Sequence, residues 1–343
     1  MEQEFLREHS WTDWKGKAFS LSDEYAYVMG PATPKSCTPG ERDTKNKGML
    51  PGHFLWRINN KIKKRRQRGY GTSLPEEHAY LTLDEVLAVR LYSGPAFQPI
   101  NEFLRQIAWL SGDYRMQLAK HAGLTFTATI GNICRAIRKL AAITTHSENT
   151  RPLYRAVRGE LPRSFWMPDE HGLVTATDTA FMSTSAVLKT PLEYMHDNGH
   201  NVLWEIRPEV ETDSGFHRGA DITDLSQFAA EQETLFPPCT MLRVLHPERH
   251  EQFPRWAVAA GSPNREATSG EKSAKRLRSS SSPSLSFGGL RSTLLYEGGS
   301  RYATLWQHVL CEAMYEERRK DNDVHSQATN KQYVKIEIEP TFI

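Results

Sequence analysis

Two short stretches decide how this chain is read: Phe181-Met182-Ser183-Thr184-Ser185, and Glu231-Gln232-Glu233-Thr234-Leu235-Phe236-Pro237-Pro238. In each, a polar cluster adjoins an apolar run. On an extended chain side chains alternate with period two, so Glu231 and Glu233 are expected to project to one side. Two carboxylates in one pocket suit chemistry that develops positive charge on a substrate and needs a nucleophile oriented. Either stretch alone also reads as a polar turn or as one solvated face of an edge strand.

Around these stretches the chain from about residue 150 has the texture of short strands separated by Gly, Pro and Asp turns. Extended segments are expected at 152–157, 179–183, 202–207, 233–236 and 241–246. The strongest strand signal is the last, where Val334, Ile336 and Ile338 alternate with Lys335, Glu337 and Glu339. Residues 82–142 are instead helical in pattern. Thr82 and Glu85 form a capping box ahead of Val86, Leu87 and Leu91, and two further apolar faces follow, through Ile100, Phe103, Leu104 and Ile107 and through Ile130, Ile133, Ile137 and Leu140. Cys134 on the last face reads as a small core residue. Helices first and strands afterwards argue for an α+β fold.

Residues 1–78 carry little hydrophobic periodicity and are expected to be variable and partly disordered, with Pro31, Pro34, Pro39 and Gly40 breaking up a polar stretch. The basic run at 61–68 reads as a solvated segment, with nuclear import as its functional alternative. A Ser-, Gly- and Pro-rich stretch with a second basic run at 275–278 leads into a helical pattern around Trp306. Residues 251–331 are therefore expected to be an insertion that returns for a final strand at 333–339.

With 43 Lys and Arg against 41 Asp and Glu, bulk charge points to neither nucleic acid nor a membrane surface, and no nucleic-acid partner is expected. Four cysteines without Cys-x-x-Cys spacing read as reduced thiols, hence a cytoplasmic location, or a nuclear one through the basic runs. No run has the length of a transmembrane helix and no signal-like segment opens the chain. His246 and His250 stand four apart, but Pro247 opposes a helix between them, and no metal site is expected. There is no phosphate-cradling Gly-rich motif and no Gly-x-Ser-x-Gly elbow.

The order Tyr154-Arg155, then Phe181-Met182-Ser183-Thr184-Ser185, then Glu231-Gln232-Glu233 running into Leu235-Phe236 and two prolines, resembles the arginine-specific mono-ADP-ribosyltransferases. Those enzymes share an aromatic-Arg, a Ser-Thr-Ser and a Glu-x-Glu. The resemblance covers roughly residues 80–246 and the final strand. It implies a split β-sandwich with an N-terminal helical lobe, and a catalytic domain over 79–343 interrupted by the insertion. It further implies NAD as co-substrate, no metal, and a protein target bearing the modified arginine. The activity would be NAD(+)-protein-arginine ADP-ribosyltransferase, a pentosyl-transferring glycosyltransferase that releases nicotinamide.

Carried over by residue, Arg155 would bind an NAD phosphate. Ser183 would support Glu233 and the nicotinamide-side ribose, with Thr184 and Ser185 as further cofactor-binding hydroxyls. Glu233 would be the catalytic carboxylate, stabilising an oxocarbenium-like sugar through the ribose 2′-hydroxyl. Glu231 would select and orient an arginine guanidinium, and Phe228 would contact the acceptor. One departure is Ala156, where the family usually has Gly after its motif Arg; Arg158-Gly159 is the alternative pair. Two other functions stay open: an NAD glycohydrolase on the same scaffold, and a catalytically silent binding module.

Overall fold

A computed structural model describes residues 1–6, 10–12, 17–30, 42–46, 48–108, 125–208, 219–251 and 333–341. The expected insertion and its basic run at 275–278 lie outside the described residues, apart from Glu251.

The first half of the chain builds a helical lobe from α1 (Glu2–Phe5), a hairpin of β1 (Ser10–Thr12) and β2 (Ala18–Ser20), α2 (Leu21–Met29), α3 (Pro51–Arg66), α4 (Glu76–Ala79), α5 (Leu83–Leu91), α6 (Phe97–Ile107), α7 (Thr127–Ala142) and α8 (His146–Asn149). The capping box that opens α5 is formed: Thr82 N–H donates to Glu85 at 2.9 Å, and Glu85 N–H donates back to the Thr82 hydroxyl at 3.3 Å. The buried Glu85 carboxylate also accepts from Lys139 Nζ at 2.8 Å, so the cap doubles as a tie between α5 and α7.

The basic run at 61–68 is mostly the last turn of α3, where positive charge complements the helix dipole. Proline at its first turn and an apolar stripe of Phe54, Ile58 and Ile62 make this stretch a regular helix, and those three side chains are buried in the lobe's core. Each contributes roughly 1.5–3 kcal/mol by leaving water. Phe5, Phe19, Leu21 and Val28 join the same core, which runs straight across the expected boundary at residue 78. The stripe was hidden in the sequence by the polar and basic residues between its members.

The second half forms one eight-stranded sheet from β3 (Leu153–Arg158), β4 (Thr175–Asp178), β5 (Met182–Ser185), β6 (Asn201–Ile206), β7 (Ala220–Asp221), β8 (Glu233–Phe236), β9 (Thr240–Val244) and β10 (Val334–Thr341). Its order is β4-β9-β10-β6-β3-β5-β8-β7. The returning β10 lies between β9 and β6, parallel to β6. β3 pairs with β6 over six residues but touches β5 through the single pair Tyr154↔Ser185. At that seam the sheet splits.

Side-chain alternation then assigns the faces. Met182 and Phe236 join Val202, Trp204, Leu242 and Ile336 in the core enclosed between the two halves of the sheet. Leu235, on the opposite face of β8, joins the core of the helical lobe together with Phe181. Ser183 pairs with Leu235 and Ser185 with Glu233, so these three polar residues share the face turned toward the lobe. The fold is α+β, a split β-sandwich backed by a helical lobe.

Candidate active site

The site lies where that face meets the lobe. Ser183 Oγ donates to Glu233 Oε1 at 2.7 Å, and Ser226 Oγ, 3.3 Å from Glu233 Oε2, holds the second carboxylate oxygen. Glu233 is 7% exposed. Burial raises its pKa from 4.5 to about 7; the Ser183 hydrogen bond pulls down, the charge of Glu231 pushes up, and Ser226 pulls down. Behind it lies the fully buried Tyr92, whose ring meets Phe181 edge-on with centroids 5.1 Å apart. Asn101 on α6 holds the Phe181 backbone from both sides, accepting from its N–H at 3.2 Å and donating to its carbonyl at 3.3 Å. The lobe thus fixes the entry to β5.

Arg155 reaches across the seam. Its Nη1 donates to the Ser183 carbonyl at 2.8 Å, and its Nη2 pairs with Asp178 at 3.3 Å. Asp178 also faces Arg105 of α6 at 3.4 Å, so two guanidinium groups share one carboxylate and the cluster keeps an excess positive charge. Arg158 is directed elsewhere, donating from Nε to the Tyr194 carbonyl at 2.6 Å. Of the two candidates, Arg155 is the one beside Ser183. Ala156 sits half-buried on β3 opposite Leu203.

The two glutamates do not share an extended strand. Glu231 ends a 3-10 turn (Ala229–Glu231), Gln232 adopts a left-handed conformation with φ 48° and ψ 55°, and only Glu233 begins β8. The turn carries Glu231 out of the sheet. Its carboxylate accepts from Tyr194 Oη at 2.7 Å, just past the helix α9 (Lys189–Glu193). Ser185 donates to the Glu231 carbonyl at 2.5 Å and accepts from Val187 N–H at 2.9 Å. This hydroxyl, expected among the cofactor-binding groups, braces the turn. Thr184, also expected among the cofactor-binding hydroxyls, lies on the other face of β5 by simple alternation. It is 3% exposed and donates to the Thr234 carbonyl at 2.8 Å, which locks β5 to β8. Phe228 precedes the 3-10 turn and is half-buried, with Glu231 N–H donating to its carbonyl at 2.9 Å.

Three residues of the site went unseen in the sequence: Asp178, Ser226 and Tyr194. None belongs to a periodic pattern, and a lone Asp, Ser or Tyr at a turn is an ordinary feature. A cavity of about 710 Å³ at the far ends of β3, β6 and β10, lined in part by Glu160, Trp166 and His200, contains none of the site residues.

The arrangement can bind an anion at Arg155, accept a hydrogen bond at a buried carboxylate, and present a second, half-buried carboxylate on the adjoining turn. Several solved structures resemble the chain at low similarity. The Vis toxin, an ADP-ribosyltransferase from Vibrio splendidus, is 19% identical with a TM-score of 0.37, over 57% of this chain and 77% of that one. HopU1 of Pseudomonas syringae pv. tomato is 15% identical with a TM-score of 0.37, over 66% and 89%. The eukaryotic mono-ADP-ribosyltransferase ART2.2 is 14% identical with a TM-score of 0.34, over 56% and 74%. No curated protein matches the chain. The sequence model of the NAD:arginine ADP-ribosyltransferases matches residues 17–268, which spans the helical lobe from β2 onward and both motif strands. With Arg155, Ser183 and Glu233 brought together by the fold, the chain belongs to the NAD:arginine ADP-ribosyltransferase family.

Proposed function

We propose that this NAD-dependent ADP-ribosyltransferase takes arginine guanidinium groups as acceptors and releases nicotinamide. The observation that carries the acceptor class is Glu231: half-buried on the turn just ahead of Glu233, its carboxylate is oriented by a hydrogen bond from Tyr194 Oη at 2.7 Å. A planar guanidinium matches an oriented carboxylate in bidentate fashion better than a hydroxyl or thiol acceptor does.

The residues present suit NAD as co-substrate. Arg155 at the seam offers guanidinium N–H groups to a pyrophosphate, and Asp178 and the Ser183 carbonyl fix its plane. Glu233, oriented by two hydroxyls, accepts a hydrogen bond from a ribose hydroxyl and, once ionised, faces the positive charge that grows on the sugar as the nicotinamide bond loosens. Glu231 receives the proton that the guanidinium loses as the new C–N bond forms. Phe228, half-buried immediately ahead of the same turn, is the aromatic assigned to acceptor contact.

Incorporation of labelled ADP-ribose from NAD into agmatine, compared between wild type and Glu231→Gln, tests the acceptor. Wild type is expected to label agmatine. Glu231→Gln is expected to lose about a hundredfold in transfer while still hydrolysing NAD. Nicotinamide release that never yields labelled agmatine or labelled arginine-rich protein would instead make the protein a glycohydrolase.

A further inference from the structure

The turn that carries Ser226 and Glu231 is not held by the sheet alone. Three of its carbonyls are taken by the helical lobe: Arg57 of α3 donates to Asp224 O, Arg90 of α5 donates to Leu225 O at 2.9 Å, and Asp43 N–H donates to Gln227 O at 2.7 Å. Gln227 answers in kind, donating from Nε2 to Arg90 O at 2.8 Å and from its N–H to Ser93 Oγ at 3.1 Å. Lys61 adds an ion pair to Asp224 at 2.6 Å.

At the centre of this contact is a buried ion pair. Arg90 is 3% exposed and Asp43 7%, with Nη2 to Oδ2 at 2.7 Å and Nη1 to Oδ1 at 3.2 Å. The Arg90 guanidinium lies 3.8 Å from the centre of the Phe54 ring, and Tyr27 Oη donates to Asp43 at 2.9 Å. Asp43 itself is left-handed at φ 48°, a conformation its short polar side chain tolerates. Close approach is required here too: a Cβ on Gly94 would run into the Gln227 amide. A buried, bidentate pair is a poor source of net stability but fixes geometry sharply.

We propose that the Asp43–Arg90 pair, with Arg57, positions the turn 224–231 and thereby sets how ADP-ribose is partitioned between a guanidinium acceptor and water. The proposal rests on the acceptor role of Glu231 given above. Its logic is asymmetric support. Glu233 is bound through Oε1 to Ser183 of β5, outside the turn, whereas Ser226 and Glu231 belong to the turn itself. Loosening the anchor therefore harms acceptor orientation first and glycosidic cleavage second. Asp43, Arg57 and Arg90 are positioning residues, acting through the turn.

The test measures, for the full chain supplied with NAD and agmatine, the ratio of ADP-ribosyl-agmatine to free ADP-ribose, together with nicotinamide release and thermal midpoint. Asp43→Asn weakens the anchor but also leaves Arg90 buried with half its partner, so Arg57→Gln, which removes a carbonyl contact without orphaning a buried carboxylate, is the second variant. Lys139→Met is the stability control: it cuts the α5–α7 tie at Glu85 and touches nothing in the turn. Expected is a ratio lowered about tenfold or more in Asp43→Asn and Arg57→Gln, with nicotinamide release kept within a few-fold. Lys139→Met is expected to lower the thermal midpoint with the ratio intact. An unchanged ratio in the folded Arg57→Gln protein overturns the proposal, and so does an equal fall in Lys139→Met. A wild type that never labels agmatine overturns the acceptor reading instead, a result visible before any variant is made.

Discussion

Glu233 and Glu231 are two residues apart in the chain, yet their carboxylates are held by opposite means. The Glu233 corner is made of strand register: β5 and β8 pair Ser185 with Glu233, place Ser183 diagonally, and bury the carboxylate. The Glu231 corner is made of turns: a 3-10 turn, a left-handed Gln232, and a Tyr194 hydroxyl from a ring 37% exposed. Register is rigid because many backbone hydrogen bonds must break together to shift it, whereas a turn moves by a few dihedrals. The difference matches the tasks proposed for the two carboxylates. Charge stabilisation at a sugar tolerates little displacement, while the side facing a protein acceptor has to admit a bulky and variable partner.

The largest expected effect separates the corners outright. Glu233→Gln should lower nicotinamide release by about a thousandfold or more, with and without acceptor. It should also stabilise the fold. Between 4.5 and about 7 the unfolded chain ionises this carboxyl while the folded protein keeps it protonated, so stability falls as pH rises through that window. The loss is on the order of 3 kcal/mol at neutral pH. Gln escapes it, and the thermal midpoint at pH 7.5 should rise by about 2 °C or more. A variant that is inactive and also less stable would mean that Glu233 is a structural acid.

Next in size is the pH profile. If Glu233 acts ionised, kcat/KM for nicotinamide release should climb with pH and level off above about 7. Ser183→Ala removes a hydrogen bond that favours the charged form, so the midpoint should move upward in that variant. A profile flat from pH 5 to 9 in wild type would place the buried carboxylate outside the chemistry.

Tyr194→Phe sharpens the comparison from the acceptor side. It removes the hydroxyl at 2.7 Å from Glu231 and leaves the ring in place, so the transfer-to-hydrolysis ratio should fall about threefold to tenfold with hydrolysis unaltered. Equal losses in both products would show the corners to be one unit. The smallest effect belongs to Thr184→Val, which deletes the buried bond to the Thr234 carbonyl. About 1 kcal/mol of stability should be lost, read from denaturant unfolding, with the KM for NAD unchanged. A raised KM would place Thr184 in the nucleotide site.

Much of the fold could be read locally. The capping box at Thr82 and Glu85, the apolar faces of α6 and α7, and the alternation in β10 each occupy one stretch of chain and formed there, except that Ile107 and Val334, at the ends of their elements, are exposed. The helix α3 did not announce itself, because its stripe of Phe54, Ile58 and Ile62 is thin and flanked by charge. Its partners arrive from far away: Lys61 meets Asp224 and Arg65 meets Glu148.

By itself the sequence determined the residue types of the site and their order, because Arg, Ser-Thr-Ser and Glu-x-Glu are local strings with a recognisable company. Alternation, the local rule applied to Glu231 and Glu233, failed at the 3-10 turn, and the strand that puts Ser183 and Ser185 on one face runs two residues past its expected end. Only the tertiary structure decided that Arg155 lies by Ser183 while Arg158 turns away, that Thr184 and Ser185 spend their hydroxyls on the framework, and that Asp178, Ser226 and Tyr194 complete the site. These choices depend on a seam where β3 leaves β5 and on a backbone reversal at Gln232. Both are fixed by contacts between residues tens to hundreds of positions apart, which no local pattern encodes.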